Sequence, residues 1–303
     1  RAKYVRSVEY GFRNRPTILN NVETWANIPV IINKGGSWFA SKGTGDVSKN
    51  PWGGSSGTKV FSLVGDIRNT GLVEVPMGIT LREIIEDVGG GIPKGRRFKA
   101  VQTGGPSGGC IPEGMLDMPI DFDSLDRAGS MMGSGGMIVM DEKKCMVDVA
   151  RYFTRFLMNE SCGKCTSCRE GLHIMYNVLT RICEGKGEAA DIGILEDLSA
   201  SLTEASMCQL GATAANPVLS TLRFFKGEYE QHIHDRKCPA GVCRELISYS
   251  INEGCTGCMA CVKPCPANAI SGERKKRHVI SQDKCIKCGI CGETCKYDAV
   301  EVR

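Results

Sequence analysis

Apolar and polar positions change rhythm several times along this chain, and each change marks a different kind of element. In NNVETWANIPVIIN, residues 20–33, the apolar side chains Val22, Trp25, Ile28, Ile31 and Ile32 recur close to helical spacing, interrupted by Pro29. Residues 1 to about 57 contain no complete fold, and the Gly/Ser-rich stretch 43–58 reads as a loop. From Lys59 the apolar runs shorten to strand length in KVFSLVGDI and GLVEVPMG. TLREIIEDVGG follows, a compact helix with Thr80 as its N-cap, and then the strand-like FKAVQTGG and GGMIVMDE. A small mixed sheet with one helix is predicted over 58–142.

Beyond Asp148 the period becomes helical. Val149, Tyr152, Phe153, Phe156 and Leu157 are predicted to share one face, and similar stripes recur in 169–184, 191–204 and 216–230. Residues 143–231 therefore read as a four-helix bundle. The final segment, 248–303, is an internal repeat: CTGCMACVKPCPANAIS at 255–271 returns as CIKCGICGETCKYDAVE at 285–301, a period of 30 residues. The whole is a multidomain α+β chain.

Composition alters this picture chiefly through cysteine. Of 303 residues 17 are Cys, an odd number crowded mostly into tight C-x2-C runs, which suits metal chelation better than a disulfide framework. With no signal peptide and no apolar run near the roughly 18 residues that span a bilayer, the chain reads as soluble, from a reducing cytoplasm, with no membrane partner. The formal charge of +4 counts every Cys as neutral. Three 4Fe-4S centres, each about −2 with its thiolates, would turn it into roughly −2, so charge gives nucleic-acid binding no support. The basic run GERKKRH, 272–278, reads as a solvated hairpin.

Each copy of the repeat carries C-x2-C-x2-C-x3-C, and the first continues with Pro266, the pattern of two-cluster ferredoxins. Three cysteines of one loop cap one cube while the fourth points to the other. Cys255, Cys258, Cys261 and Cys295 are thus assigned to one 4Fe-4S cluster, and Cys285, Cys288, Cys291 and Cys265 to the second. Such a pair moves single electrons over a short distance.

ESCGKCTSCREG, 160–171, sets Cys162, Cys165 and Cys168 at even spacing and lacks a fourth ligand. SMCQLG, 206–211, supplies the best candidate in Cys208, which lies in a turn between two predicted helices with Gly211 allowing close approach.

HIHDRKCPAGVC, in the linker 232–247, brings mixed His and Cys at short spacing, a donor set suited to a structural zinc ion. His232, Cys238 and Cys243 are the first three ligands. The fourth is Cys145 or His234, with Cys145 favoured because His232 and His234, two apart on a helix, face different ways. The start of the first bundle helix and the end of the fourth should meet at one end of an antiparallel bundle. Cys110 and Cys183 read as small buried side chains, His173 as solvated, and the methionines at 115, 118, 131, 132, 137 and 140 as packing.

ESCGKCTSCREG followed 40 residues later by SMCQLG, and preceded by RPTILNNVETW and VARYF, resembles the NADH-oxidising flavoprotein subunit of respiratory complex I and the diaphorase subunits of NAD-linked hydrogenases and formate dehydrogenases. The resemblance covers about residues 10–230. The ferredoxin repeat departs from the complex I subunit and, with CPAGVC, is similar to the beta subunit of the NADH-dependent, electron-bifurcating [FeFe]-hydrogenase. The resemblance implies flavin mononucleotide and NAD(H), with residues 1–57 the end of a flavin domain lying mostly upstream, and Asn20, Asn21 and Thr24 of LNNVET at flavin-contacting positions. It implies a β-grasp-like domain over 58–142, with GGPSGG, 104–109, a tight turn beside the flavin. It further implies a hetero-oligomer with a catalytic [FeFe]-hydrogenase subunit, a small 2Fe-2S thioredoxin-like subunit and ferredoxin. A non-bifurcating diaphorase subunit and a flavin-free polyferredoxin are the competing readings.

Overall fold

The computed structural model describes residues 5–44 and 54–302, so positions 45–53 of the Gly/Ser-rich stretch lie outside the described residues. The first long element, α1 (Val22–Lys34), starts where Asn21 Oδ1 accepts the Glu23 N–H at 2.8 Å, an N-cap that satisfies one of the helix's orphan donors. Pro29 lies inside α1 without ending it. After the short α2 (Gly36–Ala40) come the strands β1 (Thr58–Gly65) and β2 (Gly71–Pro76). Glu23 ties α1 to β1: its carboxylate pairs with Lys59 and accepts the Val60 N–H at 2.7 Å.

β3 (Phe98–Thr103), β4 (Cys110–Pro112), the short helix α3 (Phe122–Arg127) and β5 (Gly136–Asp141) complete a five-stranded sheet in the order β2-β1-β5-β3-β4. Only β1 and β5 run parallel. Alternate residues such as Phe61, Leu63, Val101 and Val139 face one core, which Leu81, Ile84 and Ile85 close from the intervening helical segment. Thr80 caps that segment as expected: its Oγ1 accepts the Glu83 N–H at 3.2 Å while the Glu83 carboxylate accepts the Thr80 N–H at 2.9 Å, a reciprocal capping box. From Glu83 to Val88, however, the helix widens to π geometry rather than continuing as α. GGPSGG is a tight turn, with Gly104 and Gly105 at φ of 75° and 72°. Met132, Met137 and Met140 are buried, as packing methionines should be.

Four long helices follow: α4 (Met146–Glu160), α5 (Thr166–Cys183), α6 (Asp191–Ala205) and, after the short α7 (Gln209–Thr213), α8 (Asn216–Ile233). They pack on one another around Leu172, Met175, Leu179, Leu195, Leu202 and Val218. One expectation needs correcting. The buried stripe of α4 is Met146, Val147, Ala150, Phe153, Thr154 and Leu157, while Tyr152 and Phe156 are exposed. Two overlapping stripes share Phe153 and Leu157 and differ by roughly one residue's rotation, about 100°. The start of α4 selects between them, because Cys145 and Met146 are drawn in against the end of α8, where the Glu228 carboxylate accepts the Met146 N–H at 2.9 Å. The bundle also grips the sheet: Ser220 Oγ accepts the Cys110 N–H at 2.9 Å, and Asn216 donates to the Ser107 carbonyl at 3.0 Å.

The last domain holds β6 (Tyr249–Ile251), β7 (Ile270–Ser271), β8 (Val279–Ile280), α9 (Ile290–Thr294) and β9 (Val300–Val302). β6 pairs with β9 and β7 with β8, so each copy of the repeat carries one two-stranded ribbon. Glu273 to Arg277 are solvated at the β7–β8 turn, as the basic run implied, but its last residue, His278, is buried at 1% exposure.

Candidate metal centres

The ESCGKCTSCREG loop runs from the end of α4 into α5. Cys165 occupies the N-cap of α5 and Cys168 its first turn, so both lie at the start of an 18-residue helix. Cys208 occupies the N-cap of α7 and comes to the same place. The Met207 N–H donates to Cys165 Sγ at 3.4 Å, joining the two loops, and Ser161 Oγ lies 3.2 Å from Cys168 Sγ. Burial pushes the Cys168 thiol up, as do the nearby Cys165, Cys208 and Cys162. All four sulfurs named for this centre are thus neighbours. Gly211 is where approach is tightest, since a Cβ there would lie 2.6 Å from Ser206 Cβ and 3.4 Å from Cys168 Cβ.

In the repeat domain, Cys255, Cys258, Cys261 and Cys295 line one cavity, while Cys265, Cys285, Cys288 and Cys291 line another of the same size, about 20 Å³ each. The rest of each lining is mostly apolar, with Thr256, His278 and Tyr297 the polar side chains of the first and Tyr249 that of the second. The loops curl around them through residues in the left-handed region at matching places: Gly257 and Lys287, Met259 and Gly289, Asn268 and Asp298, each pair 30 apart. This curl turns backbone N–H groups inward. Lys287 donates to Cys285 Sγ at 3.4 Å, Ala269 to Cys265 Sγ at 3.3 Å, and Ala299 to Cys295 Sγ at 3.4 Å. Four soft sulfurs with inward donors around a mostly apolar cavity are a donor set that fits an iron–sulfur cube.

A fourth cluster of groups lies where α4 begins and α8 ends. One ligand atom each from Cys145, His232, Cys238 and Cys243 lie within 4.8 Å of one another, and all four residues are buried. His232 Nε2 is 3.3 Å from Cys145 Sγ and 3.4 Å from Cys243 Sγ, and its Nδ1 faces the Glu228 carbonyl at 2.7 Å. By accepting a hydrogen bond from Nδ1–H, that carbonyl holds the ring in the tautomer that leaves Nε2 free for a metal. Sharing of protons among the thiols drives Cys238 well below the ordinary thiol range through bonds from Cys145 and Cys243, and drives Cys145 up. His234 is exposed and outside the group. Cys183, buried, lies beside Cys243, and Cys110 is packed so deeply that burial raises its thiol to about 12.

Of the three flavin-side residues, Asn21 and Thr24 border a cleft between α1 and β1 that Asn27, Phe39, Lys59 and Phe122 also line. Asn20 is exposed beside it. Asn21 Oδ1 is engaged in capping, so its amide nitrogen is what it can offer a ligand. Two features had no site role in the sequence: the Ser161 hydroxyl at Cys168, and the His278 imidazole, which read as solvated with its basic run and lies instead at the Cys255 cavity. Ser161 stands directly before Cys162 and could have been found by that adjacency; His278 had no such signal.

Residues 148–232 match the family described as the NADH-ubiquinone oxidoreductase-F iron-sulfur binding region, residues 60–111 the SLBB domain, and residues 254–300 the 4Fe-4S dicluster domain. The NADP-reducing hydrogenase subunit HndC of Solidesulfovibrio fructosivorans is 52% identical over 291 residues, 96% of this chain and 58% of that protein. The chain is a homologue of HndC and of the F subunits of NADH-quinone oxidoreductases. The F 2 subunit of the Rhizobium meliloti NADH-quinone oxidoreductase is 44% identical over 229 residues, 76% of this chain and 52% of its own length. A solved NAD+-reducing [NiFe]-hydrogenase in its H2-reduced state superposes with a TM-score of 0.64 at 30% identity, over 77% of this chain and 38% of that one. The chain spans little more than half the length of the curated relatives it matches. Among the described residues no helix is long and apolar enough to cross a membrane.

Proposed function

We propose that this chain is the electron-transfer part of a flavin-containing, NAD(H)-linked oxidoreductase subunit of a cytoplasmic hydrogenase complex, of the electron-bifurcating [FeFe] type. The observation that carries the reading is the gathering of twelve cysteines at three separate places, four at each, in a chain whose homologues are oxidoreductase subunits. Bound there, 4Fe-4S clusters supply one-electron steps, while flavin mononucleotide supplies the two-electron exchange with NAD(H).

The residues divide this work. Cys162, Cys165, Cys168 and Cys208 hold the cluster nearest the flavin side, steadied by the Ser161 hydroxyl and the Met207 N–H. The crossed sets Cys255, Cys258, Cys261, Cys295 and Cys265, Cys285, Cys288, Cys291 hold the remaining two. Asn20, Asn21 and Thr24 contact the flavin from the start of α1. Cys145, His232, Cys238 and Cys243 hold a structural zinc ion that fixes how the ferredoxin domain leaves the bundle. Its partners are a catalytic [FeFe]-hydrogenase subunit, a small 2Fe-2S thioredoxin-like subunit and ferredoxin.

The test is iron content and reduction together. The reconstituted full-length protein should hold about twelve iron atoms in these three centres, and Cys208→Ala should lower that to about eight. An unchanged count in the variant removes the bundle cluster. A second reading, a non-bifurcating diaphorase subunit, is favoured by the NADP-reducing and NAD+-reducing hydrogenases among the relatives. Hydrogen evolution by the purified complex from NADH alone, without reduced ferredoxin, would select it.

A further inference from the structure

The two ferredoxin-type cavities follow one repeat, yet they are not chemically equal. Strand β6 occupies in the second copy the place that β8 occupies in the first: Ile251 pairs with Val300 as Ile280 pairs with Ile270, and 270 and 300 are one period apart. Two residues before these isoleucines stand Tyr249 and His278. Tyr249 lines the cavity of Cys265, Cys285, Cys288 and Cys291; His278 lines the cavity of Cys255, Cys258, Cys261 and Cys295. The residues beneath them also correspond. A Cβ on Gly289 would lie 3.1 Å from the Tyr249 hydroxyl, and 30 residues earlier Met259 places its Sδ 3.0 Å from His278 Nε2.

Both rings are buried, and the imidazole is the one with a hydrogen-bonding atom beside a cysteine sulfur. His278 is 1% exposed, and its Nδ1 is 3.5 Å from Cys255 Sγ. Its seat is shaped for the ring, since a Cβ on Gly272 would come within 2.4 Å of His278 Cδ2. A thiolate and a thioether both accept, but the thiolate is by far the stronger acceptor, so the ring proton belongs on Nδ1, facing Cys255. The corresponding sulfur of the other copy, Cys285, takes its bond from the backbone N–H of Lys287. Ala299 and Ala269 donate equally to one further corresponding pair, Cys295 and Cys265, and cancel.

We propose that His278 is a tuning residue for one electron-transfer centre: by donating its Nδ1–H to Cys255 Sγ it raises the reduction potential of the Cys255 cluster alone. The inference rests on the cluster assignment made above. A hydrogen bond to a ligating sulfur favours the state with the extra electron, because reduction increases the negative charge the donor faces. This cluster is therefore set by a side chain, and its partner at the corresponding sulfur by the main chain.

The experiment is an anaerobic redox titration of the full, iron-loaded chain, followed by electron paramagnetic resonance, with His278→Phe and His278→Gln. Phe keeps the bulk and removes the donor; Gln restores an N–H. In His278→Phe, one ferredoxin-type signal should show about a tenfold lower ratio of reduced to oxidised form at a given potential, about 59 mV for one electron. The other two should be unchanged, iron content should match the parent, and Gln should recover part of the shift. Equal potentials in parent and Phe variant, with iron retained, overturn the proposal. So does loss of iron from both variants, which would make His278 a support for the loop. A parent chain with no iron in the repeat domain would instead refute the cluster assignment itself.

Discussion

Replacing Gly211 by alanine sets two effects of opposite sign against each other. Gly211 lies inside α7, where alanine is the better helix former by about 1 kcal/mol. Yet the new Cβ would lie 2.6 Å from Ser206 Cβ and 2.5 Å from Ser206 Oγ. The hydroxyl can rotate away, but the Cβ moves only with the backbone that carries Met207 and Cys208. Overpacking of this severity belongs at the upper end of the usual range, about 3 kcal/mol. The clash therefore wins by about 2 kcal/mol, and the strain falls on the loop that brings Cys208 to Cys162, Cys165 and Cys168. Because about 1.4 kcal/mol is a tenfold change in an equilibrium, that loop should open roughly thirtyfold more often. The assay is the rate at which the iron proposed for the Cys162, Cys165, Cys168 and Cys208 centre, about four of about twelve atoms, passes to a chelator in excess under anaerobic conditions. The Gly211→Ala chain should release them roughly thirtyfold faster, with the other eight unaffected. Adding Ser206→Gly, which removes the obstructing Cβ, should return the rate close to the parent's. Release unchanged by Gly211→Ala, or a double variant as fast as the single one, would refute the reasoning.

The purified chain should contain about one zinc, lost on Cys238→Ser and on acidification, because zinc ligation needs deprotonated thiols; elemental analysis of parent and variant checks both. Replacing Ser220 by alanine leaves the buried Cys110 N–H without its acceptor, at a cost of about 1 to 3 kcal/mol, and hydrogen exchange at the Cys110 amide should quicken accordingly. Burial holds the Cys110 thiol near 12, so at pH 8 it should resist iodoacetamide in the folded chain and react once denaturant exposes it, as mass spectrometry of its peptide would show.

The parts of this protein legible in its sequence are those in which chemistry is local. C-x2-C-x2-C-x3-C is a loop-scale instruction: cysteines three apart can face one centre whatever surrounds them, and a second copy 30 residues on declares the crossed pair. Strand and helix periods likewise report burial on one side of an element, which is why four of the five sheet strands, the Thr80 cap and the four long helices could be located in advance, while the three-residue β4 and the six-residue α3 were too short to show a period. Tertiary structure decided what depended on distance in the fold. The α4 stripe could turn either way by one residue until the end of α8 fixed it. Cys145 and His232, 87 residues apart, become neighbours only because α4 begins where α8 ends, and the same closure leaves the nearby His234 in solvent. His278 shows the limit most plainly. In sequence it closes a run of charged residues and reads as solvated; in the fold the β7–β8 turn holds that run outward, and the next residue, just before the return strand β8, carries its ring inward to Cys255. Local pattern specifies which residues can share a face or a loop, but the partner that buries a face is supplied by chain far away, and its identity is set by packing alone.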